Sequence, residues 1–577
     1  MTTIQQRNKN LSIAVDFSES ISPLLQRIYH ARGASCDSDV NYQLRSLAMP
    51  ASLKGLTAAV SLLVNAMREQ QRVLIVGDFD ADGATSCALS ILALKAMGLK
   101  HVDFLVPNRF EYGYGLTPEI VDVAKEYQPN LIVTVDNGIA SVDGVAHAKF
   151  LGFKVIVTDH HLPPKVLPLA DAIVNPNQQG CAFPSKNLAG VGVIFYLLSA
   201  LRSRLRELKW FVEQGIVEPN MASYLDLVAL GTVADVVPLD RNNRTLVHQG
   251  IQRVKAGKAR PGILALLEVA GKNHQRLTSQ DFGFIVGPRL NAAGRLDDIS
   301  LGIQCLLTDD VTLARELAAQ MDGLNRERRS IEASMQAEAL TSLDTLALDE
   351  SELPWGICLL EDNWHQGVVG ILASRIKDKY HRPVIAFAEV DEDTIKGSAR
   401  SIPGLHIRDA LDIIATQNPE ILQKFGGHAM AAGLSLERKN FARFAQLFDR
   451  VVRDLLTPDL LREILLTDGE LTTREISLNN AHAIAAAGPW GQQFPEPIFN
   501  GCFNLISQRI VGEKHLKMTL GFLDAPQKII DAIAFNVDIN CWPNADVKRV
   551  DIVYQLSVNE FRGNETEQLM IRHIEAA

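Results

Sequence analysis

The sequence predicts an α/β protein built on a doubly wound parallel sheet, followed by a second α/β unit and a C-terminal β-barrel. Three observations support this prediction. Apolar strand-like runs alternate with helical segments from Leu53 onward, the alternation resumes at Trp355, and short strands dominate after about residue 468. Regular alternation of strand and helix favours parallel strands with helices on both faces of the sheet.

The length of the chain, 577 residues, is enough for several domains. Its 47% apolar and 21% charged residues are typical of an ordinary globular protein. We place the predicted parts at the following ranges: an N-terminal lead-in at 1–50, a first α/β domain at 51–305, a connecting helix at 306–350, a second α/β domain at 351–460 and the barrel at 465–577.

Charge and cysteine usage restrict the function and the compartment. The net charge of −10 does not suggest a protein that coats nucleic acid, so a polyanion would have to meet a local basic channel. Seven scattered cysteines without a CxxC pair argue for a reducing compartment and against a disulfide framework or a zinc ribbon. Because we find neither a signal peptide nor an apolar run of 18 residues, we expect a cytoplasmic protein.

The first domain is predicted to alternate strands and helices in chain order. A strand at Val73–Val76 and the helix after it form the first βα unit. The further predicted strands and helices are, in order, a strand at 102–106, a helix at 118–127, a strand at 131–135, a helix at 142–151 and a strand at 154–158.

Three carboxylates follow the first of these strands. Asp78, Asp80 and Asp82 occupy every second position, so an extended backbone would place all three on one side. Carboxylates so close together repel one another unless a cation lies between them, which favours a divalent metal site. The alternative is that one of them caps the following helix and the others are solvated.

Further polar residues follow the other predicted strands. Asp136 ends one strand, Asp159, His160 and His161 end the next, and Asp235 lies in the later segment GTVADVVPL. Ligands of open α/β sheets bind beyond the carboxyl ends of the strands. Taken singly, Asp136 could begin a turn, the histidines could be surface residues and Asp235 could cap a helix. Taken together, the residues predict a metal site, because independent accidents should not share one edge of a sheet.

The ligand types indicate the ion. Carboxylates with one or two imidazoles and no thiolate suit Mg²⁺ or Mn²⁺ better than Zn²⁺ or copper. The acidic groups are too many for one ion. Two ions about 3.5–4 Å apart, sharing a bridging carboxylate, would neutralise them as in two-metal hydrolases of phosphate esters.

The order of the motifs DFDADG, VDNG, TDHH and GTVADVVPL resembles the DHH phosphoesterase superfamily, which is named after a triplet such as Asp159-His160-His161. GPRLNAAGRL (287–296), WHQGVVGI (364–371), KGSAR (396–400) and FGGHAMAAG (425–433) are similar to a branch that carries a DHH-associated domain. This likeness extends over nearly the whole chain. It implies a single-strand-specific exonuclease that degrades DNA from the 5′ end.

The resemblance also implies roles for the metal-site residues. Asp80 and Asp136 would hold one ion, with Asp136 bridging, and the second ion would be completed by Asp82, His160 and Asp235. His161 would lie on the phosphate side, and Asp159 would orient the histidines. Many superfamily members have a histidine ligand where this chain has Val76, and Asp78 would provide a carboxylate instead. The implied reaction is in-line attack of a metal-activated water on phosphorus without a covalent enzyme intermediate.

The resemblance further implies residues that hold the DNA. Ser398, Arg400 and Arg109 would grip the terminal 5′ phosphate, because glycine pairs beside a serine and an arginine let donors approach a phosphate closely. Further candidates are His428, Arg289 and Arg295. On residue pattern alone, the glycine pair could equally serve close packing.

Two other segments have open interpretations. The predicted connecting helix carries Arg326, Arg328 and Arg329, which form either a solvated face, our preferred interpretation, or a basic channel wall. The short strands near the C-terminus suggest an OB-like barrel, a fold that often binds single strands. Its basic residues could contact DNA or be ordinary surface residues: Arg509, Lys514, His515 and Lys517.

These observations together predict a two-metal 5′→3′ exonuclease on single-stranded DNA that releases nucleotide 5′-monophosphates in recombination and repair. One alternative is a phosphodiesterase for short oligonucleotides or cyclic dinucleotides, and another is a catalytically inactive replication scaffold. The family resemblance implies a single-strand-binding protein and a helicase as partners. We expect a monomer without membrane association.

Overall fold

The computed structural model describes residues 2–7, 15–107, 115–346, 353–539 and 541–577. The chain divides into two compact units. The larger unit consists of residues 6–322 and 466–577, and the smaller unit of residues 1–5 and 323–465.

The N-terminal segment contains β1 (Thr3–Gln6) and α1 (Pro23–His30). In the larger unit, this segment is bonded to residues that precede the C-terminal barrel. The Tyr29 hydroxyl donates to the carbonyl oxygen of Ala487 at 2.9 Å, and the Arg32 guanidinium donates to Asp468 at 2.6 Å. The lead-in, for which the sequence suggested no role, therefore ties the two ends of the larger unit together.

The first domain contains the predicted parallel sheet, which has five strands where the sequence predicted four. Its elements are α2 (Leu56–Glu69), β2 (Val73–Gly77), α3 (Ala81–Ala96), β3 (Val102–Leu105), α4 (Pro118–Ala124), β4 (Leu131–Val135), α5 (Val142–Phe150), β5 (Lys154–Thr158) and β6 (Ala172–Val174). The strand order is β3-β2-β4-β5-β6. β6 was not predicted, because three residues are too few to show a periodic pattern. The central strands β2 and β4 are buried along their whole length, which explains their continuous apolar sequences.

The rest of this domain is helical. Its elements are α6 (Gly190–Glu207), α7 (Trp210–Gln214), α8 (Leu225–Ala234), α9 (Arg241–Lys255), α10 (Pro261–Val269), α11 (Ser279–Asp281), a π-helical turn (Phe282–Val286), α12 (Gly287–Leu296) and α13 (Ser300–Leu307). The predicted long helix is present as α14 (Val311–Leu346), which begins in the larger unit and ends in the smaller one.

The smaller unit is the second α/β domain. Its elements are β7 (Ile357–Leu360), α15 (Val369–Tyr380), β8 (Val384–Glu389), β9 (Thr394–Arg400), α16 (Ile407–Gln417), β10 (Leu422–Gly427), β11 (Ala431–Glu437), α17 (Phe441–Leu455) and the start of β12 (Ile464–Thr467). The sheet order is β10-β11-β9-β8-β7, and β1 pairs with β12. Phe387, Phe444 and Phe448 are fully buried in the core.

The C-terminal residues form the predicted barrel. Its elements are α18 (Leu478–Ala487), β13 (Phe499–Val511), β14 (His515–Gly521), β15 (Ile529–Ala534), β16 (Arg549–Phe561) and β17 (Asn564–Ala576). The five strands close in the order β13-β14-β15-β17-β16. Among the described residues, no single helix is both long and apolar enough to cross a membrane, and one bent pair, Leu44–Ser52 with Leu56–Glu69, qualifies on length and composition alone.

Candidate metal centre

The loop after β2 turns directly into a helix. Asp80 is the N-cap of α3, and its Oδ1 accepts hydrogen bonds from the amides of Asp82 at 2.9 Å and Gly83 at 3.0 Å. Asp82 therefore lies in the first helical turn, and an extended backbone is not what brings the three carboxylates together. The sequence offers helix capping and metal binding as alternatives for this triplet. In the structure, Asp80 caps α3 and also belongs to a group of potential metal ligands.

Asp82 is fully buried, and its carboxylate is held by the start of α6. It accepts hydrogen bonds from the amide of Gly190 at 2.6 Å and from that of Val191 at 2.9 Å. A helix N-terminus stabilises an anion through its free amides and its dipole. Burial and the charge of Asp80 nevertheless raise the pKa of Asp82 to about 7.

Asp136 and Asp235 meet at His160. Asp136 directly follows β4 with a left-handed φ of 63°, and its Oδ1 lies 3.1 Å from His160 Nε2. The same nitrogen lies 3.4 Å from Oδ2 of Asp235. Asp235 follows the last residue of α8, so it reaches the site from the end of a helix and not from a strand.

Three groups of potential ligands converge, with the ligand atoms of each group within 4.8 Å of one another. They are Asp78 with Asp80 and Asp136, Asp82 with His160 and Asp235, and Asp136 with His160 and His161. Asp136 and His160 each belong to two of the groups, so the three groups form one continuous cluster. The geometry thus brings together all the predicted ligands at one place.

The donor set fits hard divalent cations. The three groups offer carboxylate oxygens and imidazole nitrogens and, within the described chain, no thiolate. Burial, followed by the charges of neighbouring aspartates, raises the pKa of Asp136 and of Asp235 well above the usual range. Bound cations would relieve this repulsion and keep the carboxylates ionised.

Asp159 is buried beside the ligands and supports the histidines. Its Oδ1 accepts hydrogen bonds from the amides of His160 at 2.7 Å and His161 at 3.0 Å, and it lies 2.7 Å from His161 Nδ1. Burial alone would raise the pKa of Asp159, but these bonds outweigh it and lower the pKa. Burial would lower the pKa of the His161 imidazole, but its contact with the Asp159 carboxylate outweighs burial and raises that pKa.

Several supporting residues were missed by the sequence analysis. Asn175 donates to the carbonyl oxygen of His161 at 2.9 Å, and Asn177 donates to that of His160 at 2.6 Å. Asn291 accepts from the amide of Ala81 at 2.8 Å. Of these three residues, Asn291 alone lies within a motif that the sequence singles out, GPRLNAAGRL, whose arginines are predicted phosphate ligands.

In the smaller unit, two of the predicted phosphate-binding residues are neighbours on β9. Arg400 Nη1 donates to Ser398 Oγ at 3.1 Å and to the carbonyl oxygen of Ala399 at 2.8 Å. A Cβ added at Gly370 would lie 2.9 Å from both Arg400 Nη2 and Ser398 Oγ, so this glycine leaves room beside them. Burial lowers the pKa of Arg400. His428 is exposed between β10 and β11.

The remaining predicted phosphate ligands differ in their surroundings. Arg289 is buried, and its Nη2 lies 2.7 Å from Oδ1 of Asp322. Arg295 is half-buried near the end of α12. Arg109 lies outside the described residues. Contacts of these three arginines with phosphate stay predictions.

Three family models match the chain: the DHH family N-terminal domain at residues 72–232, the DHHA1 domain at 353–454 and the RecJ OB domain at 467–573. The chain is 53% identical over 570 residues to the single-stranded-DNA-specific exonuclease RecJ of Salmonella typhimurium, covering 99% of both proteins. This chain belongs to the RecJ family. The predicted superfamily is thereby confirmed.

Solved RecJ structures share the fold. The structure of Thermus thermophilus RecJ in complex with Mn²⁺ matches with a TM-score of 0.79 and 28% identity, covering 99% of this chain and 79% of that one. The structure of the same RecJ with Mg²⁺ has a TM-score of 0.74 and 26% identity, covering 99% of this chain and 78% of that one. These matches confirm the predicted architecture for this RecJ family member.

Proposed function

We propose that this protein is a metal-dependent exonuclease that degrades single-stranded DNA from the 5′ end and releases nucleotide 5′-monophosphates. The observation that carries the proposal is the convergence of Asp82, Asp136, His160 and Asp235 in a chain whose RecJ relatives match over its full length. A scaffold without catalysis has no use for so many buried carboxylates that repel one another.

Two Mg²⁺ or Mn²⁺ ions fit the ligands. One ion would be held by Asp80 and Asp136, with Asp78 as a further ligand. The other ion would be held by Asp82, His160 and Asp235. Asp136 would be shared by both ions. When bound, such ions lower the pKa of a water molecule and neutralise charge on the phosphate. Thermus thermophilus RecJ has been solved with either ion, which supports the same choice here.

His161 would act on the phosphate with Asp159 behind it. Nδ1 lies 2.7 Å from Oδ1 of Asp159, and the raised pKa of the imidazole favours its protonated form. With Nδ1 directed at Asp159, Nε2–H would be the donor to a phosphate oxygen. A hydrogen bond from a charged donor would stabilise the negative charge that develops in the transition state.

The 5′ terminus would be recognised by Ser398 and Arg400. A hydroxyl and a guanidinium 3.1 Å apart, beside Gly370, offer several donors at one point. Arg109, Arg289, Arg295 and His428 are additional candidates for DNA contacts. A terminal phosphate carries more charge than an internal one, so a site built for it selects chain ends.

We extend the proposal to the cellular setting. The enzyme would work in the cytoplasm as a monomer, in DNA recombination and repair. A single-strand-binding protein and a helicase would supply or hold its single-stranded substrate. The closed barrel of the larger unit, which matches the RecJ OB domain, supports contact with single strands beyond the metal centre.

The test is release of label from single-stranded DNA with Mg²⁺, Mn²⁺ or EDTA, with and without a 5′ phosphate. Asp136→Ala should lose at least about 100-fold in activity, because a ligand shared by both ions is removed. Asp143→Ala, which changes an exposed aspartate on α5, is the control and should keep full activity. Duplex DNA and a dinucleotide serve as competing substrates.

The outcomes separate the alternatives. Metal-dependent degradation from the 5′ end, lost in Asp136→Ala, supports the proposal. Cleavage of the dinucleotide alone would assign the protein to the phosphodiesterases of short oligonucleotides. Binding of DNA without hydrolysis of any substrate would make it a scaffold.

A further inference from the structure

Two threonines interrupt the apolar strands that lead to the metal centre. β4 has the sequence LIVTV and β5 the sequence KVIVT, and Thr134 and Thr158 are both completely buried. A valine would have nearly the same shape in these strands and would bring no hydroxyl that must be hydrogen-bonded when it is buried. The two hydroxyl groups therefore need an explanation other than packing, and their hydrogen-bond partners provide one.

The hydroxyls are links in a chain of hydrogen bonds that crosses three strands. Thr158 Oγ1 donates to the carbonyl oxygen of Thr134 at 2.7 Å, and Thr134 Oγ1 donates to the carbonyl oxygen of Asn137 at 2.8 Å. The side-chain amide of Asn137 donates to the carbonyl oxygens of Val135 at 3.0 Å and Val76 at 3.1 Å. These bonds lead from β5 through β4 to β2, which are neighbours in the sheet. We call the three side chains that donate them the Asn137 network.

Each strand that the Asn137 network joins is followed by predicted metal ligands. Asp78 comes after β2, Asp136 comes after β4, and Asp159 begins the triplet after β5. Asp78 and Asp136 belong to the same group of potential ligands. Carboxylates from two strands can serve one divalent cation only if the strand ends keep a fixed separation, because the ion tolerates little displacement of its ligands. The bond from Asn137 to Val76 joins these two strand ends directly.

The network also holds the turn in which Asp136 lies. Asp136 and Gly138 both have left-handed backbones, with φ of 63° and 107°. An aspartate adopts this region less readily than a glycine does, so surrounding contacts must maintain it. A Cβ added at Gly138 would lie 2.5 Å from Thr134 Oγ1, which shows how closely the turn packs on this hydroxyl. On its other side the turn is held by Asp159, whose Oδ2 accepts from the amide of Ile139 at 2.9 Å.

The amide group of Asn137 carries a cost for the fold. The residue is completely buried, and its Oδ1 has no hydrogen-bond partner among the described residues. A buried amide oxygen without a partner lowers the stability of the folded protein. An apolar side chain would avoid this cost but could not donate to two carbonyl oxygens. The contribution of Asn137 therefore lies in its two donated bonds, and both act at the ends of strands that lead to ligands.

We propose that Asn137, supported by the Thr134 hydroxyl, is a positioning residue of the metal centre. It fixes Asp136 relative to the carboxylates that follow β2, so that both strands present ligands to the same ion. Loss of the Asn137 amide should therefore weaken the binding of a divalent cation in addition to any loss of stability in the metal-free protein. This inference rests on the proposed function, in which the cluster holds Mg²⁺ or Mn²⁺, but cation binding is measured without any DNA.

The test is calorimetric titration of Mn²⁺ into the full-length protein and its variants. Loss of a supporting hydrogen bond in a metal site typically costs 10- to 100-fold, so Asn137→Ala should bind Mn²⁺ at least about 10-fold more weakly than the wild type. Thr134→Val removes the hydroxyl with little change of shape and should weaken binding in the same direction. Thr134→Ser keeps the hydroxyl and should restore wild-type affinity. Because both residues act in one network, the double variant Thr134→Val, Asn137→Ala should lose less than the product of the two single losses.

A matched control separates positioning from general damage to the fold. Ser90 is completely buried on α3, and its Oγ donates to the carbonyl oxygen of Ser86 at 2.7 Å. Ser90→Ala therefore removes a buried hydroxyl in the same domain and should leave the Mn²⁺ affinity unchanged. Urea unfolding in EDTA and in saturating Mn²⁺ gives a second readout. The stabilisation by Mn²⁺ should shrink in Asn137→Ala and keep its wild-type size in Ser90→Ala.

Two results would overturn the inference. Asn137→Ala could bind Mn²⁺ as tightly as the wild type, or Ser90→Ala could lose as much affinity as Asn137→Ala does. If Asn137→Ala does not fold, the comparison of Thr134→Val with Thr134→Ser decides in its place, and equal Mn²⁺ affinities of these two variants would overturn the inference. A wild type that binds Mn²⁺ but degrades no single strand would refute the exonuclease proposal alone. A wild type that binds neither Mn²⁺ nor Mg²⁺ would refute both.

Discussion

The side-chain oxygen of Asn291 accepts a hydrogen bond from the backbone amide of Ala81 at 2.8 Å. Ala81 lies between Asp80 and Asp82, two of the predicted metal ligands. On the same helix, α12, a Cβ added at Gly294 would lie 2.0 Å from the carbonyl oxygen of Phe79. α12 therefore holds the loop that carries the first carboxylates, although it provides none of the predicted ligands.

Asn291→Ala should weaken metal binding without removing a ligand. Loss of a supporting hydrogen bond in a metal site typically costs 10- to 100-fold in affinity or activity, and we expect about 10-fold here. The measurement is the Mn²⁺ concentration that gives half-maximal exonuclease rate. Asn65→Ala, at an exposed position of α2, is the control. An unchanged Mn²⁺ requirement in Asn291→Ala would show that the loop holds its conformation without this bond.

Gly190→Ala should damage the metal centre although glycine provides no ligand. A Cβ at position 190 would lie 2.5 Å from Cβ of Asp136, so the carboxylate of this predicted ligand would be displaced. The matched change Gly192→Ala, in the same helix, meets the flexible end of Leu188 at 3.0 Å and should cost little. We expect a loss of at least about 10-fold in Mn²⁺ affinity, measured by calorimetry, for the first variant alone. Equal affinities in both variants would contradict this account of Gly190.

The metal-free protein should lose stability as the pH rises. The pKa of Asp82 in the folded state is about 7, because of burial and then Asp80, whereas an unfolded aspartate has a pKa of about 3.9. Between these values the folded state binds more protons than the unfolded state, so the free energy of unfolding falls with rising pH. The pKa values of Asp136 and Asp235 are raised in the same direction.

The measurement is the denaturation midpoint in EDTA from pH 4.5 to 8, for wild type and Asp235→Asn. Replacing one repelling carboxylate should stabilise the metal-free protein, and the advantage over wild type should grow toward pH 8. Saturating Mn²⁺ should reverse the order, because the wild type then gains the binding energy of an intact site. A pH-independent difference between the two proteins in EDTA would contradict the raised pKa values.

The buried ion pair between Arg32 and Asp468 should be important for stability. Their side chains are each 1% exposed, and the guanidinium nitrogen lies 2.6 Å from the carboxylate oxygen. Asp468→Ala leaves a buried charge without its partner, which costs about 3–5 kcal/mol. Glu207→Ala breaks the exposed pair with Arg204 and should cost at most about 1 kcal/mol. Urea unfolding of both variants measures the difference, and equal losses would mean that the first pair is not needed to hold the N-terminal segment.

Much of the candidate site was predictable because its residues follow strands. Asp136 and the triplet beginning at Asp159 directly follow buried apolar runs, and parallel strands bring their carboxyl ends to one edge. Strand periodicity is local, so the residues of each run reveal it. The parallel sheet, except for the short strand β6, and the barrel were predicted for the same reason.

The sequence by itself determined which carboxylates and imidazoles belong together and which class of ion suits them. The tertiary structure alone decided that Asp235 arrives from a helix end, that Asp82 is held by amides 108 and 109 residues away, and that Arg289 is paired with Asp322. It also decided that the N-terminal segment is tied to residues more than 400 positions later. Such pairings depend on packing between distant segments, and a local pattern of residues carries no record of which distant partner will be adjacent in space.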